Sequence, residues 1–380
     1  MYTLLVKFYD EKFKDLFLKY NAVDTSPISR YITHPFWNWI VQFYPKWIAP
    51  NVLTLAGFLL YVLMWLVLTC YDNDFNAADQ TNYSVPRWAW LLAAWYGTDG
   101  KQARRTKTSG PLGEMFDHGL DSWATHFMPV CLYSVFDRGE FGIPAERAFA
   151  LIVCVWAAFI VTHWEKYNTG VLYLPWGYDI SQISMVAVFL FTFIFGVHIY
   201  KITIPIIGLT PAELSEMGIH FLTWAFSVPV SLWNVYCSYR DKTGRNRSFY
   251  ESIRPVIPFL LHLGLTYFWI STSSYDILRK HPRLFFFAVG TVFSNYACRL
   301  IVSGMSNTRC QTFNWLLMPL MAIVFGVCAT NLGVTEYYLL WAFTIFATAA
   351  HIHYGICVVQ QLAEHLNIYV FSVKKPAKTD

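Results

Sequence analysis

Charge is scarce in this chain: Asp, Glu, Lys and Arg make up only 14% of its 380 residues, against 56% hydrophobic and 19% aromatic. That is too little polar surface to coat a soluble globule of this size, so lipid must be the solvent for most of the chain. A formal net charge of +4 is also too small to imply a nucleic-acid partner. The eight cysteines form no CxxC pair and no cluster with histidine. This excludes a zinc site or a disulfide frame and leaves the cysteines as packing residues. No P-loop or dinucleotide-binding glycine run occurs, so a nucleotide would have to bind by another route. No signal peptide is expected ahead of the first span. Instead Met1–Tyr20 mixes Leu4, Leu5, Phe8, Phe13 and Phe17 with Lys and Asp in a helix-like rhythm, which suits an amphipathic helix lying on the membrane surface.

Apolar runs are abundant. A helix needs roughly 20 apolar residues to cross about 30 Å of hydrocarbon. Ten candidate segments centre on Leu59, Leu91, Pro129, Val155, Phe189, Phe226, Leu261, Val289, Leu320 and Phe343. The expected fold is therefore all-α: a polytopic membrane protein of about ten transmembrane helices. The second is unusually short, because Arg87 and Asp99 bracket only Trp88–Thr98, a run that spans roughly 16 Å at 1.5 Å per residue. Basic residues cluster at Lys101, Arg104, Arg105 and Lys107, at Arg240, Lys242, Arg245 and Arg247, and at Lys374, Lys375 and Lys378. Ten crossings from a cytosolic N-terminus put all three clusters in the cytosol, as the positive-inside bias expects. Tyr71–Pro86, with the glycosylation-type triplet at Asn82, then falls on the lumenal side. Lys280 and Arg283 would also be lumenal, against the bias.

Chemistry concentrates between the second and third apolar segments, where Asp99-Gly-Lys-Gln-Ala-Arg-Arg leads through Gly113 and Glu114 to Asp117, His118 and Asp121. Three carboxylates at a membrane edge are costly unless something positive binds them. On a helix Asp117 and Asp121 project from one face, and Asp99 is placed to reach them from the preceding helix. Oxygen-only ligands favour magnesium, manganese or calcium over zinc. Such a metal beside an Arg/Lys-rich loop is what a pyrophosphate substrate needs, since both neutralise its charge as the leaving group departs. Gly100, Ala103 and Gly113 are small residues where helices carrying the site would approach each other or a ligand closely.

This stretch resembles the signature of the class I CDP-alcohol phosphotransferases, Asp-x2-Asp-Gly-x2-Ala-Arg-x8-Gly-x3-Asp-x3-Asp. The match runs from the second Asp onward through Asp99, Gly100, Ala103, Arg104, Gly113, Asp117 and Asp121. Pro50-Asn51 and Thr54, His163-Trp-Glu-Lys-Tyr-Asn-Thr-Gly170, Leu174-Pro-Trp-Gly-Tyr-Asp-Ile-Ser-Gln182 and Ala350-His-Ile-His-Tyr-Gly355 resemble the eukaryotic ethanolaminephosphotransferase branch. The resemblance covers roughly Asp24 to Lys375. It implies a ten-span, usually homodimeric enzyme that transfers phosphoethanolamine from CDP-ethanolamine to diacylglycerol, giving phosphatidylethanolamine and CMP. Its site would face the cytosol from the endoplasmic reticulum membrane or, alternatively, the Golgi. Carried over by position, Asp99, Asp117 and Asp121 would hold Mg2+ or Mn2+. Asn51, Gly100, Ala103, Arg104, Gly113 and Glu114 would line the CDP-alcohol, and His118 would accept the proton of the diacylglycerol hydroxyl, a role suited to an imidazole. The implied organisation is an interfacial segment over residues 1–48, a catalytic core over 49–240, C-terminal transmembrane helices over 241–362 for dimer and lipid contacts, and a cytosolic tail over 363–380.

One position departs from the signature. Its first Asp should stand three residues before Asp99, where this chain has Tyr96, a neutral phenol with a single oxygen. Two explanations stay open: impaired metal binding, which would leave a chain that binds lipid or partners with an active homologue, or a neighbouring group, first of all Glu114, that completes the site. Choline is the alternative head group. A transporter is disfavoured because the charges gather at one face and no paired broken helices occur. Several polar residues have plainer expectations. His126, His163 and His220 should cap, pair or lie at the interface. Glu165 and Lys166 should form an interfacial ion pair, Arg105 and Lys107 should steer substrate or set topology, and His351 and His353, two apart on a helix, should face different ways.

Overall fold

A computed structural model of the chain describes residues 22–24, 26–79, 85–95, 99–106, 110–174 and 176–373. The expectations for Met1–Tyr20, Asn82, Tyr96, Lys107 and the terminal lysines lie outside the described residues, as do those for the side chains of Asp99, Lys101 and Arg104. Fourteen α-helices are described. The first half contains α1 (His34–Ile40), α2 (Pro50–Tyr71), α3 (Asp99–Thr106), α4 (Pro111–Phe136), α5 (Ala145–Thr169), α6 (Trp176–Phe195) and α7 (Pro211–Phe221). The second contains α8 (Val228–Arg240), α9 (Phe249–Ile253), α10 (Val256–Thr272), α11 (Ile277–Lys280), α12 (Pro282–Met305), α13 (Leu317–Ala329) and α14 (Thr335–Leu366). A π-helical turn, Leu222–Ser227, joins α7 to α8.

The fold is nearly all-α and that of a polytopic membrane protein, with one correction. A two-stranded parallel sheet pairs β1 (Ala22–Asp24) with β2 (Leu172–Leu174), Val23 opposite Tyr173. It docks the N-terminal segment at the end of α5. The centres of all ten apolar segments fall in helical stretches, yet among the described residues only α2, α5, α12 and α14 combine spanning length with spanning apolarity. The other segments fall short for physical reasons. α4 carries Glu114, Asp117, His118 and Asp121; α10 and α13 have only 17 and 13 residues. The second segment is a nine-residue 3-10 helix, Arg87–Trp95, roughly 18 Å long at 2.0 Å per residue.

Local chemistry sets the helix ends. Pro50, Pro111, Pro211 and Pro282 open their helices at positions where the missing N–H has no intrahelical partner to lose. α7 adds a capping box between Thr210 and Glu213. α5 stops at Gly170, which adopts φ +82°, a left-handed conformation that glycine takes without a Cβ penalty.

The hub is α12. Within its apolar window 89% of residues are buried in the protein, against 33% for α2 and α14, and it packs on α4, α5 and α14. α2 and α4 run side by side in the same direction, with Phe58 stacked on Trp123 and Trp65 against Phe127. α12 returns antiparallel, from Arg283 beside Ser134 to Cys298 beside Gly119. One bundle end therefore holds the starts of α2 and α4 and the finish of α12. Two buried ion pairs close the opposite end. Arg283 is caged by the Asp72 carbonyl at 2.7 Å, the Ser134 hydroxyl at 2.5 Å, the Phe75 ring at 4.0 Å and the Asp72 carboxylate at 3.7 Å. Lys201 pairs with Asp137. Arg283, which counted against the positive-inside bias, is thus an internal charge and no free loop cation.

His126 neither caps nor pairs, contrary to expectation. Its ring is fully buried, stacks on Phe127 at 4.6 Å and has no hydrogen-bond partner among the described residues. A Cβ at Gly290 on α12 would lie 2.4 Å from His126 Cγ, so only glycine lets the two helices approach this closely. Gly290→Ala should therefore destabilise the protein by about 1–3 kcal/mol through overpacking. The same substitution in a His126→Ala background should cost less, as thermal unfolding in detergent would show.

Candidate active site

Asp117, His118 and Asp121 lie on one face of α4, all partly exposed, each offering a ligand atom within 4.8 Å of the others'. Asp121 is ten residues past Pro111, roughly 15 Å along the helix axis. His118 Nδ1 is 3.8 Å from Asp121 Oδ2, and its ring meets that of His163 on α5 edge to face at 5.3 Å. His163 was expected to pair, and its neighbour is His118. The two carboxylates are the oxygen donors that a hard divalent cation takes, and the imidazole stands beside them.

One turn toward the helix start, Glu114 pairs with Lys166 of α5, with side-chain exposures of 5% and 8%. This corrects one expectation: Lys166 does not pair with Glu165, whose carboxylate accepts instead from Asn234 Nδ2 at 2.7 Å. Glu114 is engaged by Lys166, and among the described residues the third group gathered with the two aspartates is His118. A helix repeat puts residues 114 and 118 on one α4 face and 163 and 166 on one α5 face, but sequence periodicity does not say that these faces meet.

Beneath the cluster a polar chain fastens α4 to α12 and α14. Ser122 Oγ donates to the Gly119 carbonyl at 2.6 Å and is 2.6 Å from Ser294 Oγ, which is 3.0 Å from His351 Nε2. With the Ser122 proton so used, Ser294 donates to Ser122 and His351 donates from Nε2 to Ser294. Asn295 Nδ2, 3.5 Å from His351 Nδ1, fits that tautomer. His353 faces elsewhere, with Nε2 3.7 Å from Cys357 Sγ, as their spacing implies.

Around the mouth, α3 is anchored by Gln102, which donates to the Pro45 and Ile48 carbonyls at 3.0 and 3.1 Å. Arg105 Nη1 donates to the Val41 and Tyr44 carbonyls at 2.5 and 2.6 Å. Arg105 is thus a brace for the turn before α2, not a cation aimed at substrate. Gly100 and Ala103 lie on α3. Asn51, at the start of α2, donates from Nδ2 to the Val370 carbonyl at 2.9 Å. A Cβ at Gly113 would stand 3.8 Å from Asn51 Oδ1, an ordinary contact, so no tight approach occurs there. α14 ends at left-handed Asn367, which turns the following segment back over this end, and Phe371 lies edge-on to Phe116 at 5.7 Å. The tail contact with Asn51 had no sequence signal, being a carbonyl 319 residues away.

Residues 47–229 match the family model described as CDP-alcohol phosphatidyltransferase. Ethanolaminephosphotransferase 1 of Homo sapiens is 45% identical over 369 residues, covering 94% of this chain and 92% of its own length. The Mus musculus protein of that name is 45% identical over 370 residues with the same coverage. This chain belongs to the CDP-alcohol phosphatidyltransferase family. Cholinephosphotransferase 1 of Danio rerio, another protein it resembles, is 28% identical over 354 residues, covering 89% of this chain and 88% of its own. Within this CDP-alcohol phosphatidyltransferase the signature aspartates Asp117 and Asp121 are brought together, and Asp99 opens α3 beside them in sequence order. The contact between Glu114 and Lys166 should register as a coupling of about 0.5–3 kcal/mol in a double-mutant cycle of Glu114→Gln and Lys166→Met, read by thermal unfolding; additive effects would contradict the pair.

Proposed function

We propose that this protein transfers phosphoethanolamine from CDP-ethanolamine to diacylglycerol, producing phosphatidylethanolamine and CMP. The observation that carries the reading is the Asp117–His118–Asp121 cluster, at the signature spacing, on the partly exposed face of a helix whose remaining sides are packed. The higher identity to ethanolaminephosphotransferase 1 than to cholinephosphotransferase 1 favours ethanolamine over choline. Ten crossings, with the 3-10 helix as a short second one, a homodimer, an endoplasmic reticulum or Golgi membrane and a cytosol-facing site complete the proposal. The orientation is supported by Arg105, Arg240, Arg245 and Arg247 at the ends of helices that close the site end.

Asp117, Asp121 and, through the family signature, Asp99 would hold the ion, Mg2+ or Mn2+. When bound, it would neutralise the diphosphate charge that these carboxylates alone would repel. Asn51, Gly100, Ala103, Arg104, Gly113 and Glu114 are assigned to the CDP-alcohol side of the site. The diacylglycerol hydroxyl oxygen attacks the phosphorus that bears ethanolamine as its proton passes to His118. The bond from that phosphorus to the bridging oxygen of CMP breaks, and CMP leaves with the electron pair. Asp121, 3.8 Å away, favours the imidazolium that forms, and the edge of His163 fixes the ring. A second reading rests on Tyr96 in place of the first signature aspartate: a chain whose metal binding is impaired and which acts by binding lipid or a homologue.

Three substitutions test the transferase directly. Asp99→Ala, Asp117→Ala and Asp121→Ala should each abolish Mg2+-dependent CMP release, and near-normal turnover in any one would sink the assignment. His118→Ala should lower kcat about 100- to 10,000-fold with CDP-ethanolamine binding largely kept; an equal loss of binding would make it a ligand instead. For the second reading, Tyr96→Asp alone should restore little. A full-length second span ending in Asp-x-x-Asp99 should raise CMP release far more, unless the parent chain already matches it.

A further inference from the structure

The loop between α8 and α9 carries two arginines near the end of α5, and they are treated differently. Arg247 is satisfied: Nε donates to the Tyr167 carbonyl at 3.0 Å, Nη2 to Asn307 Oδ1 at 2.8 Å, and its guanidinium lies 3.9 Å from the Tyr167 ring centre. It neutralises the carbonyl end of α5, where cations are favoured. Arg245 makes one side-chain bond, from Nη2 to the Gly304 carbonyl at 2.7 Å, while Nε and Nη1 are buried with no partner among the described residues. A desolvated guanidinium with two idle nitrogens is costly unless an acceptor arrives.

The backbone holds Arg245 there deliberately. Its N–H donates to the Asn168 carbonyl at 2.9 Å, and the preceding Gly244 fits so tightly that a Cβ would fall 2.1 Å from Ser238 Oγ and 3.0 Å from the Asn168 carbonyl oxygen. The bond to Asn168 places the Arg245 backbone two residues beyond Lys166 along α5. Lys166 touches Glu114, one turn from Asp117 and His118. Cation thus follows cation along the α4–α5 seam away from the aspartates. Burial, and next the charge of Arg247, lower the Arg245 guanidinium to about 10, so it stays cationic at neutral pH.

We propose that Arg245 is a binding residue for the diphosphate of the CDP-alcohol, taking phosphate oxygens on Nε and Nη1 beyond the end of α5. The identity of the donor rests on the transferase reading; the phosphate chemistry does not. Phosphate oxygens could also come from an anionic lipid, and the test separates the two sources.

The full chain is reconstituted in phosphatidylcholine nanodiscs, with or without phosphatidic acid, and its melting temperature is measured with CDP or inorganic pyrophosphate present. CDP and pyrophosphate should each raise the parental value. Arg245→Gln should lose most of both shifts, and KM for CDP-ethanolamine should rise about ten- to a hundredfold with kcat largely unchanged. Equal shifts in parent and variant, an unchanged KM, or an Arg245-dependent shift seen only with phosphatidic acid would overturn the proposal. If Arg245→Gln does not fold, Arg245→Lys decides: without the forked donors its shift should be smaller than the parental one, and an equal shift refutes the role. A parent chain that binds CDP through Arg245 but releases no CMP would defeat the transferase reading and leave this one standing.

Discussion

Carboxylates inside an apolar bundle are costly, and α4 carries Asp117 and Asp121 on a helix whose other residues are largely buried. Much of the structure answers that constraint. α5 lays His163 and Lys166 along the same seam, so that Glu114 gains an ammonium and His118 a neighbouring ring. α12 and α14 meet the other side of α4 with Ser294 and His351, which give the Ser122 hydroxyl partners beneath the cluster. The aspartates remain partly exposed while the groups below and beside them are buried. That leaves an open face for a cation and a charged substrate, backed by fixed dipoles, the arrangement that lets an enzyme stabilise charge without reorganising at the moment of reaction.

The opposite end of the bundle explains why the cluster stays where it is. The Asp72–Arg283 and Asp137–Lys201 pairs tie the ends of α2 and α4 to α12 and to the loop after α6. Gly290 lets α12 approach His126 on α4 between the two ends. Such pairs add little net stability, since desolvation offsets much of their attraction. Their value here is registry: a shift of α12 along α4 would break the Arg283 cage and the Ser122–Ser294 contact together.

What could be read from the sequence follows from what one helix can encode. The spacing of Asp117 and Asp121 fixes their shared face, and the brackets Arg87 and Asp99 fix a short second segment, seen as Arg87–Trp95. The two-residue offset of His351 and His353 fixed their divergence. Pairing across helices was not legible: Lys166 had Glu165 next to it in sequence but meets Glu114. Arg105 looked like a surface cation, yet it braces two carbonyls. Arg245 and Arg247 were indistinguishable in a basic loop until Gly244 and the end of α5 gave them different surroundings. The β1–β2 pairing escaped because three residues a side, 150 positions apart, leave no period to detect. The sequence implied about ten spans with a short second one, whereas among the described residues spanning length and apolarity coincide in four helices.

The central claim is that the Asp117–His118–Asp121 end of this bundle performs metal-dependent transfer onto diacylglycerol. Its most direct test follows both products in one reaction, with purified chain in nanodiscs, CDP-ethanolamine and diacylglycerol, while Mg2+ is titrated, removed with EDTA and restored. The account predicts phosphatidylethanolamine and CMP in equal amounts, saturating with Mg2+, abolished by EDTA and recovered on adding the ion back. CMP without lipid product, or lipid product that survives complete removal of the metal, would contradict it.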